Sequence, residues 1–215
     1  MEITWFGHSC FRLIKRSDAA IVTDPFDKSI GLAPPRLKAD VVTVSHNAPG
    51  HSNLSLVKGA RAITGPGEYE IGGAFITGVR ITVGESEEDA KPPPENTAYV
   101  IEYESASVCH LGNLSAIPSQ PQVEALGTVD VLLVPVGGEK GLSAAQAAEI
   151  ISLIQPSVVV PMHYKTDKTK LKLDPLNRFL KEMGLGKVYP EPSLKVTKSS
   201  LPEETQVVVL EPKGR

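Results

Sequence analysis

From Val41 to His51 the chain reads Val-Val-Thr-Val-Ser-His-Asn-Ala-Pro-Gly-His. β-Branched residues dominate its first half, a composition typical of a buried strand. The strand runs directly into a loop that carries His46 and His51, two of the five histidines of the chain. Because a buried strand that ends in a polar loop is a good platform for functional side chains, we expect the site of this protein to lie here.

The other histidines occupy similar places. All five lie in or beside segments marked by glycine or proline at predicted strand ends, and they are His8, His46, His51, His110 and His163. A lone histidine in such a place is usually a hydrogen-bonded structural residue. Five placed in this way indicate a functional pocket.

The size and composition of the chain are those of an ordinary globular domain. Its 215 residues, 41% hydrophobic and 22% charged, are enough to bury a core. A formal net charge of -3 gives no broad attraction to nucleic acid or to anionic membrane. The sequence shows no signal-peptide pattern and no apolar run of transmembrane length, and its two cysteines suit a reducing compartment. We therefore expect a cytoplasmic protein with neither a nucleic-acid nor a membrane partner.

The order of predicted elements changes near the middle of the chain. The first half consists of short strands separated by turns, whereas the second half alternates strands with helices. Ser143 opens a capping box for a helix that must end by Gln155, because Pro156 follows. A further helix begins at Asp174-Pro175 and ends at Gly184. This order predicts two sheets between helical layers.

Two irregular segments interrupt the strands of the first half. The glycine-rich run from Gly65 to Gly73 is predicted to form hairpin turns, since no Gly-Lys-Ser/Thr follows to make it a phosphate loop. The acidic, proline-containing run from Gly84 to Asn96 is predicted to be an exposed loop.

Seven short motifs follow one another along the chain, and their order is informative. They are Trp5-Phe6-Gly7-His8-Ser9-Cys10-Phe11, Thr23-Asp24-Pro25, Ser45-His46 to His51, Gly65-Pro66-Gly67-Glu68-Tyr69-Glu70, His110-Leu111-Gly112-Asn113, Val136-Gly137-Gly138 and Pro161-Met162-His163-Tyr164. In these motifs the sequence resembles the metallo-β-lactamase superfamily, in particular the small bacterial and archaeal Zn-dependent hydrolases similar to ascorbate-phosphate lactonase. The resemblance implies an α/β fold, a four-layer αββα sandwich in one domain over 1–215, with half-domains of approximately 1–115 and 116–215.

The resemblance also implies a two-metal centre that holds a bridging hydroxide. The family signature in the organising loop is His-x-His-x-Asp-His. This chain keeps its first and last histidines as His46 and His51, but it has Ala48 in place of the middle histidine and Gly50 in place of the aspartate.

The remaining family ligands are only partly present. His163 matches the C-terminal histidine, whereas Asn113 stands at the place of the bridging aspartate and residues 80–84 lack the further histidine. Three of the seven ligands that the resemblance implies are thus retained. Asp24 matches a family aspartate that supports the histidine loop from behind, so we do not count it as a ligand.

Electrostatics argues against two metals on this ligand set. Two divalent cations about 3.5 Å apart repel by about 19 kcal/mol at an effective dielectric constant of about 20, and ligand carboxylates normally offset this. Both carboxylates are missing here unless acids such as Asp24 or Glu68 are recruited. We expect no cofactor, and the alternative is one zinc on His46, His51 and His163.

Our leading hypothesis is a protein with a degenerate metal site, without dinuclear hydrolysis, that keeps its pocket for a small-molecule ligand or a structural role. The pocket is predicted to include His8, Asp24, Ala48, Gly50, His110 and Asn113. The alternative is a hydrolase of ester, lactone or phosphodiester substrates that uses one zinc or a rearranged pair, with Asn113 or His110 as an added ligand. A third hypothesis is a homo-oligomer with a vestigial pocket.

No catalytic residue can be assigned from the sequence. Cys109 and His110 are neighbours on a predicted strand, so their side chains point to opposite faces and cannot form a dyad. A serine near the loop histidines, such as Ser45, Ser52 or Ser115, is an open but weak alternative.

Overall fold

The computed structural model describes residues 1–82, 95–138 and 141–213, and most of the predicted acidic loop lies outside these ranges. The described part contains thirteen strands and three α-helices. They are β1 (Glu2–Gly7), β2 (Cys10–Ile14), β3 (Ile21–Thr23), β4 (Val41–Thr43), β5 (Arg61–Ile63), β6 (Gly67–Ile71), β7 (Ala74–Ile81), β8 (Asn96–Tyr103), β9 (Ala106–His110), α1 (Gln120–Leu126), β10 (Val131–Pro135), α2 (Ala144–Ile154), β11 (Val158–Met162), α3 (Leu176–Glu182), β12 (Leu194–Lys195) and β13 (Gln206–Val207).

The strands form two mixed sheets. One has the order β12-β1-β2-β3-β4-β5, and the other has the order β13-β11-β10-β9-β8-β7-β6. In the first sheet β3, β4 and β5 are parallel, and in the second sheet β9, β10, β11 and β13 are parallel. The carboxyl ends of parallel strands meet at one edge of a sheet, where loops with functional residues commonly gather. The loops after β4 and β11 carry His46, His51 and His163, and Asn113 lies in the loop after β9.

The main core contains apolar side chains from both sheets. Large side chains such as Trp5, Phe11 and Ile101 are fully buried in it. Tyr99 on β8 bridges the sheets, because its hydroxyl lies 3.1 Å from the carbonyl oxygen of Val44 and 3.2 Å from that of Ile63. The predicted α/β fold with two sheets is confirmed.

The outer layer on the first sheet differs from the helical layer that the αββα arrangement predicts. Within the described ranges, the chain between β3 and β5 forms two short 3-10 helices, Lys28–Ile30 and Leu54–Leu56, and no α-helix. A second apolar cluster joins Phe26, Ile30 and Val57 of this segment to Val22 and Val42 of the sheet. Irregular chain therefore covers this face and leads into the histidine loop.

The helices of the second half begin and end where the sequence predicts. Ser143 Oγ accepts a hydrogen bond from the Gln146 backbone N–H, and Gln146 Oε1 accepts one from the Ser143 N–H, so the predicted capping box is formed. Helix α2 ends before Gln155, and α3 lies within its predicted limits. Of the helices that the structure describes, none combines the length and the apolar character needed to cross a membrane.

The prediction for the glycine-rich segment was wrong in part. Residues Gly67–Ile71 form β6, which pairs antiparallel with β7, and only the residues around Gly72 and Gly73 make the turn. Tyr69 packs against the core and anchors this strand.

Candidate functional site

Four histidines from three separate turns meet at one end of the two sheets. His8 lies in the turn between β1 and β2, His46 and His51 lie in the loop after β4, and His163 directly follows β11. Neighbouring ring centroids are 4.0 Å apart for His8 and His163, 4.8 Å for His8 and His51, and 4.1 Å for His46 and His51. The histidines at the ends of β1, β4 and β11 are thus gathered into one cluster.

The backbone is strained where it carries two of these rings. His8 and His163 each have a φ of 53°, in the left-handed region that non-glycine residues seldom adopt. The two turns are joined, because the His163 N–H donates to the His8 carbonyl oxygen at 3.1 Å. Trp5 Nε1 donates to the same oxygen at 3.0 Å. The main core therefore fixes both turns in place.

Asp24 supports the histidine loop from beneath. This fully buried carboxylate accepts the Ser45 N–H at 2.7 Å and the Ser45 hydroxyl at 2.5 Å, and His51 Nδ1 donates to it at 2.7 Å. Burial alone would raise the pKa of Asp24, but interactions with His110, His51 and Ser45 outweigh it and lower that pKa to about 2. Because Nδ1 of His51 donates to a carboxylate, its Nε2 is left with a free lone pair.

His46 is held in a similar way by the next residue along the chain. Its Nδ1 lies 3.0 Å from Ser45 Oγ, and since that hydroxyl donates its proton to Asp24, His46 Nδ1 is the donor. Ser45 is therefore the residue that links both loop histidines to the buried carboxylate. The sequence marks Ser45 only as a nucleophile candidate, a role that its burial behind the loop excludes.

We expect Ser45→Ala to lower the free energy of unfolding by about 1–3 kcal/mol, because it removes a buried donor and leaves Asp24 under-satisfied. Ser52→Ala is the matched control in the same loop, since its half-buried hydroxyl only contacts Asn47 Oδ1 and the Ala48 carbonyl. Urea denaturation of the three proteins measures both changes. Equal losses in the two variants would contradict the role assigned to Ser45.

Two groups of side chains offer donor atoms that lie within 4.8 Å of one another in the described part of the chain. One contains His8, His51 and His163, and the other contains Asp24, His46 and His51. The sequence predicted a set of His46, His51 and His163. In the first group His8 takes the place of His46. In the second, both Asp24 oxygens already accept hydrogen bonds from Ser45 and His51, which makes Asp24 a supporting residue.

Gly50 leaves room for one of these rings. A Cβ atom built on Gly50 would lie 2.8 Å from His8 Nε2 and 3.4 Å from Ile30 Cγ2. Any side chain at this position would meet the His8 ring, which is itself buried. The absence of a side chain at residue 50 and the position of His8 are therefore coupled.

An open pocket of about 270 Å³ lies over the histidines. Its described lining combines four histidines with small and apolar residues and contains no carboxylate; it consists of His8, Ser29, Ile30, His46, Ala48, Pro49, Gly50, His51, Asn113, His163 and Leu171. Ser29, Ile30 and Leu171 were not anticipated, and nothing in the sequence marks them as site residues. Two buried atoms at this pocket, His163 Nδ1 and Asn113 Oδ1, have no hydrogen-bond partner in the described part of the chain.

His8, His46 and His163 favour the neutral state. Burial, and after it the neighbouring histidines, lowers the pKa of His163 to about 3 and that of His46 to about 4. The pKa of His8 is likewise lowered well below its usual value, mainly by burial and then by His163. Neutral imidazole is the form that binds a metal ion.

Two residues expected in the pocket lie behind its wall. Asp24 is covered by Ser45 and His51, as described above. His110 is fully buried: its Nε2 donates to the Ser9 carbonyl oxygen at 2.8 Å, and its Nδ1 accepts the Gly112 N–H at 3.3 Å. With both nitrogens engaged in holding the chain, His110 is not available as the added ligand that the sequence suggested.

The other nucleophile candidates are also unsuited. Cys109 is fully buried, and burial raises its pKa to about 12. Cys10 is fully buried as well, and burial raises its pKa. Both thiols behave as small core residues.

The model of the β-lactamase superfamily domain matches residues 2–163. The chain therefore belongs to the metallo-β-lactamase superfamily.

Its relatives include proteins named as metal-dependent hydrolases. A UPF0173 protein of Pyrococcus furiosus is 31% identical over 189 residues, which cover 77% of this chain and 84% of that protein. A UPF0173 metal-dependent hydrolase of Methanopyrus kandleri is 26% identical and covers 86% of this chain and 94% of its own length. A crystal structure from Thermotoga maritima, described as a Zn-dependent hydrolase, has a TM-score of 0.76 with 40% identity over 97% of both chains.

Proposed function

We propose that this member of a metal-dependent hydrolase family does not carry out two-metal hydrolysis and uses its histidine pocket to bind a small ligand. The observation that carries the proposal is the described pocket lining, which has four histidines and no carboxylate. Ala48 and Gly50 have no donor atom, and Asn113 has no charge. Without carboxylates, little offsets the repulsion of about 19 kcal/mol between two divalent ions about 3.5 Å apart.

Ligand binding is supported by the unused hydrogen-bonding capacity of the pocket. Buried polar atoms are normally paired, and an unpaired one is costly. Asn113 Oδ1 and His163 Nδ1 are buried without a partner in the described residues. Both residues line the pocket, and this unused capacity favours a polar ligand there.

The test is a hydrolysis screen on the full chain, purified without chelator. The substrates are a nitrophenyl ester, a lactone and a phosphodiester, each assayed with and without a chelator and beside His163→Ala. We expect no turnover that the chelator abolishes, and the same background rate in the variant. Chelator-sensitive turnover with two metal ions per chain would overturn the proposal.

A second candidate function is hydrolysis with a single metal. It is favoured by the buried group of His8, His51 and His163, since three imidazoles with an open fourth position make an adequate catalytic zinc set. A bound zinc would supply water activation by lowering the pKa of its water to about 7. This candidate predicts turnover that needs one zinc per chain and that His163→Ala abolishes without loss of the fold. A rate unchanged in that variant would exclude it.

A further inference from the structure

We propose that His8, His51 and His163 form a binding site for one divalent transition-metal ion of the zinc class, and that His8 fills the space that Gly50 leaves free. This inference rests on the proposed function, because it names a ligand for the pocket. It is separable from that function, since metal binding is measured directly and without any turnover.

The first argument is the convergence of three buried nitrogens. One nitrogen from each of the three rings lies within 4.8 Å of the other two, and each residue is at most 5% exposed. Packing imidazoles together without partners leaves polar atoms unsatisfied, as His163 Nδ1 is in the described residues. A cation shared by the three lone pairs removes this penalty, and imidazole is a preferred ligand of zinc.

The second argument is the support behind the rings. His51 donates Nδ1–H to the buried Asp24, an arrangement that orients a metal-binding histidine. The His8 and His163 turns are joined by a backbone hydrogen bond of 3.1 Å and have left-handed φ values. Backbone strain of this kind is kept where the surrounding structure holds side chains for a function.

The third argument concerns which side chain completes the set. The aspartate that the family signature places at residue 50 would have occupied the space next to His51. In this chain Gly50 has no side chain there, and the nearest atom to its missing Cβ position is His8 Nε2 at 2.8 Å. The His8 nitrogen therefore lies where a residue-50 side chain would begin. An imidazole from the β1–β2 turn replaces a carboxylate from the histidine loop.

The chemistry of this set predicts its selectivity. Three neutral imidazoles suit zinc, cobalt, nickel and copper, whereas magnesium and calcium prefer oxygen ligands. The open pocket above the rings leaves room for a further ligand on the ion.

The experiment titrates chelator-stripped full chain with Zn²⁺ by calorimetry and with Co²⁺ by visible absorption. We expect one ion per chain and a cobalt spectrum of low-coordinate nitrogen ligation, with no measurable uptake of Mg²⁺. His8→Ala and His163→Ala should each weaken binding by about 100-fold or more, a larger loss than an outer partner usually causes. His46→Ala separates this set of ligands from one built on His46, and it should lose much less affinity than the His8 variant.

Folding is checked by circular dichroism and thermal melting of every variant. If His8→Ala fails to fold, His8→Asn replaces it, because asparagine tolerates the left-handed backbone at this position. The proposal is overturned by a native chain that takes up no ion at micromolar concentration, by uptake of two ions, or by a folded His8 variant that binds as tightly as the native chain. A loss in His46→Ala equal to that in the His8 variant would also overturn it.

Discussion

Asp24→Ala is expected to lower the free energy of unfolding by about 3–5 kcal/mol, because it removes the acceptor of three buried donors at once. The Ser45 N–H, the Ser45 hydroxyl and His51 Nδ1 all donate to this carboxylate at 2.5–2.7 Å. Alanine is also strained at the φ of 39° that Asp24 adopts. Urea denaturation followed by circular dichroism measures the change.

Asp40→Ala is the matched control for this experiment. Asp40 also accepts a backbone N–H, that of Ala20 at 2.8 Å, but it lies at the exposed surface. Its loss is expected to lower the free energy of unfolding by at most about 1 kcal/mol, since water replaces the lost acceptor. If Asp24→Ala were no more damaging than Asp40→Ala, Asp24 would not be the support of the histidine loop.

The strands and helices of this fold were largely predictable because their signals are local. Valine-rich apolar runs marked β4, β10 and β11, and the capping box at Ser143 with the proline after Gln155 marked α2. Strand β6 escaped prediction because its glycines and charges are typical of turns, while its stability comes from pairing with β7 and from Tyr69. Long-range pairing of this kind leaves little trace in a short window of sequence.

The outer layer of the first sheet was not predictable for a similar reason. Residues between β3 and β5 have no helical period, yet Phe26, Ile30 and Val57 cover the sheet as effectively as a helix would. These side chains are buried because the tertiary structure places them over the sheet, and not because of a local preference for helix. The resemblance predicted a covering layer on this face but not that the layer is irregular.

The candidate site was likewise predictable only in part. The loop residues from His46 to His51 and the absence of donors at Ala48 and Gly50 are readable from the sequence. The approach of the His8 ring to Gly50 is not, because it joins a turn and a loop about forty residues apart along the chain. The hydrogen bond from His110 to the Ser9 carbonyl oxygen could not be predicted either, since it depends on the contact between β9 and the β1–β2 turn.

The close approach of His8 to residue 50 predicts a large loss of stability when Gly50 is substituted. Gly50→Ala is expected to lower the free energy of unfolding by about 1–3 kcal/mol, because the new Cβ would lie 2.8 Å from the buried His8 ring. Gly50 is not among the glycines with positive φ, so steric contact and not backbone strain accounts for the loss. Gly65→Ala is the matched control, since its Cβ would meet nothing within 4 Å, and it should change stability by less than about 0.5 kcal/mol.

A double-mutant cycle tests whether His8 is the side chain responsible. In a His8→Ala background the ring is gone, so Gly50→Ala should lose most of its effect and the two substitutions should differ from additivity by about 1 kcal/mol or more. The remaining contact with Ile30 Cγ2 at 3.4 Å needs only a small adjustment. Strictly additive losses would mean that the His8 ring does not pack against residue 50. In that case the space left by Gly50 would be part of the pocket and open to a ligand. The structural argument for His8 as the third histidine of the metal site would then fail.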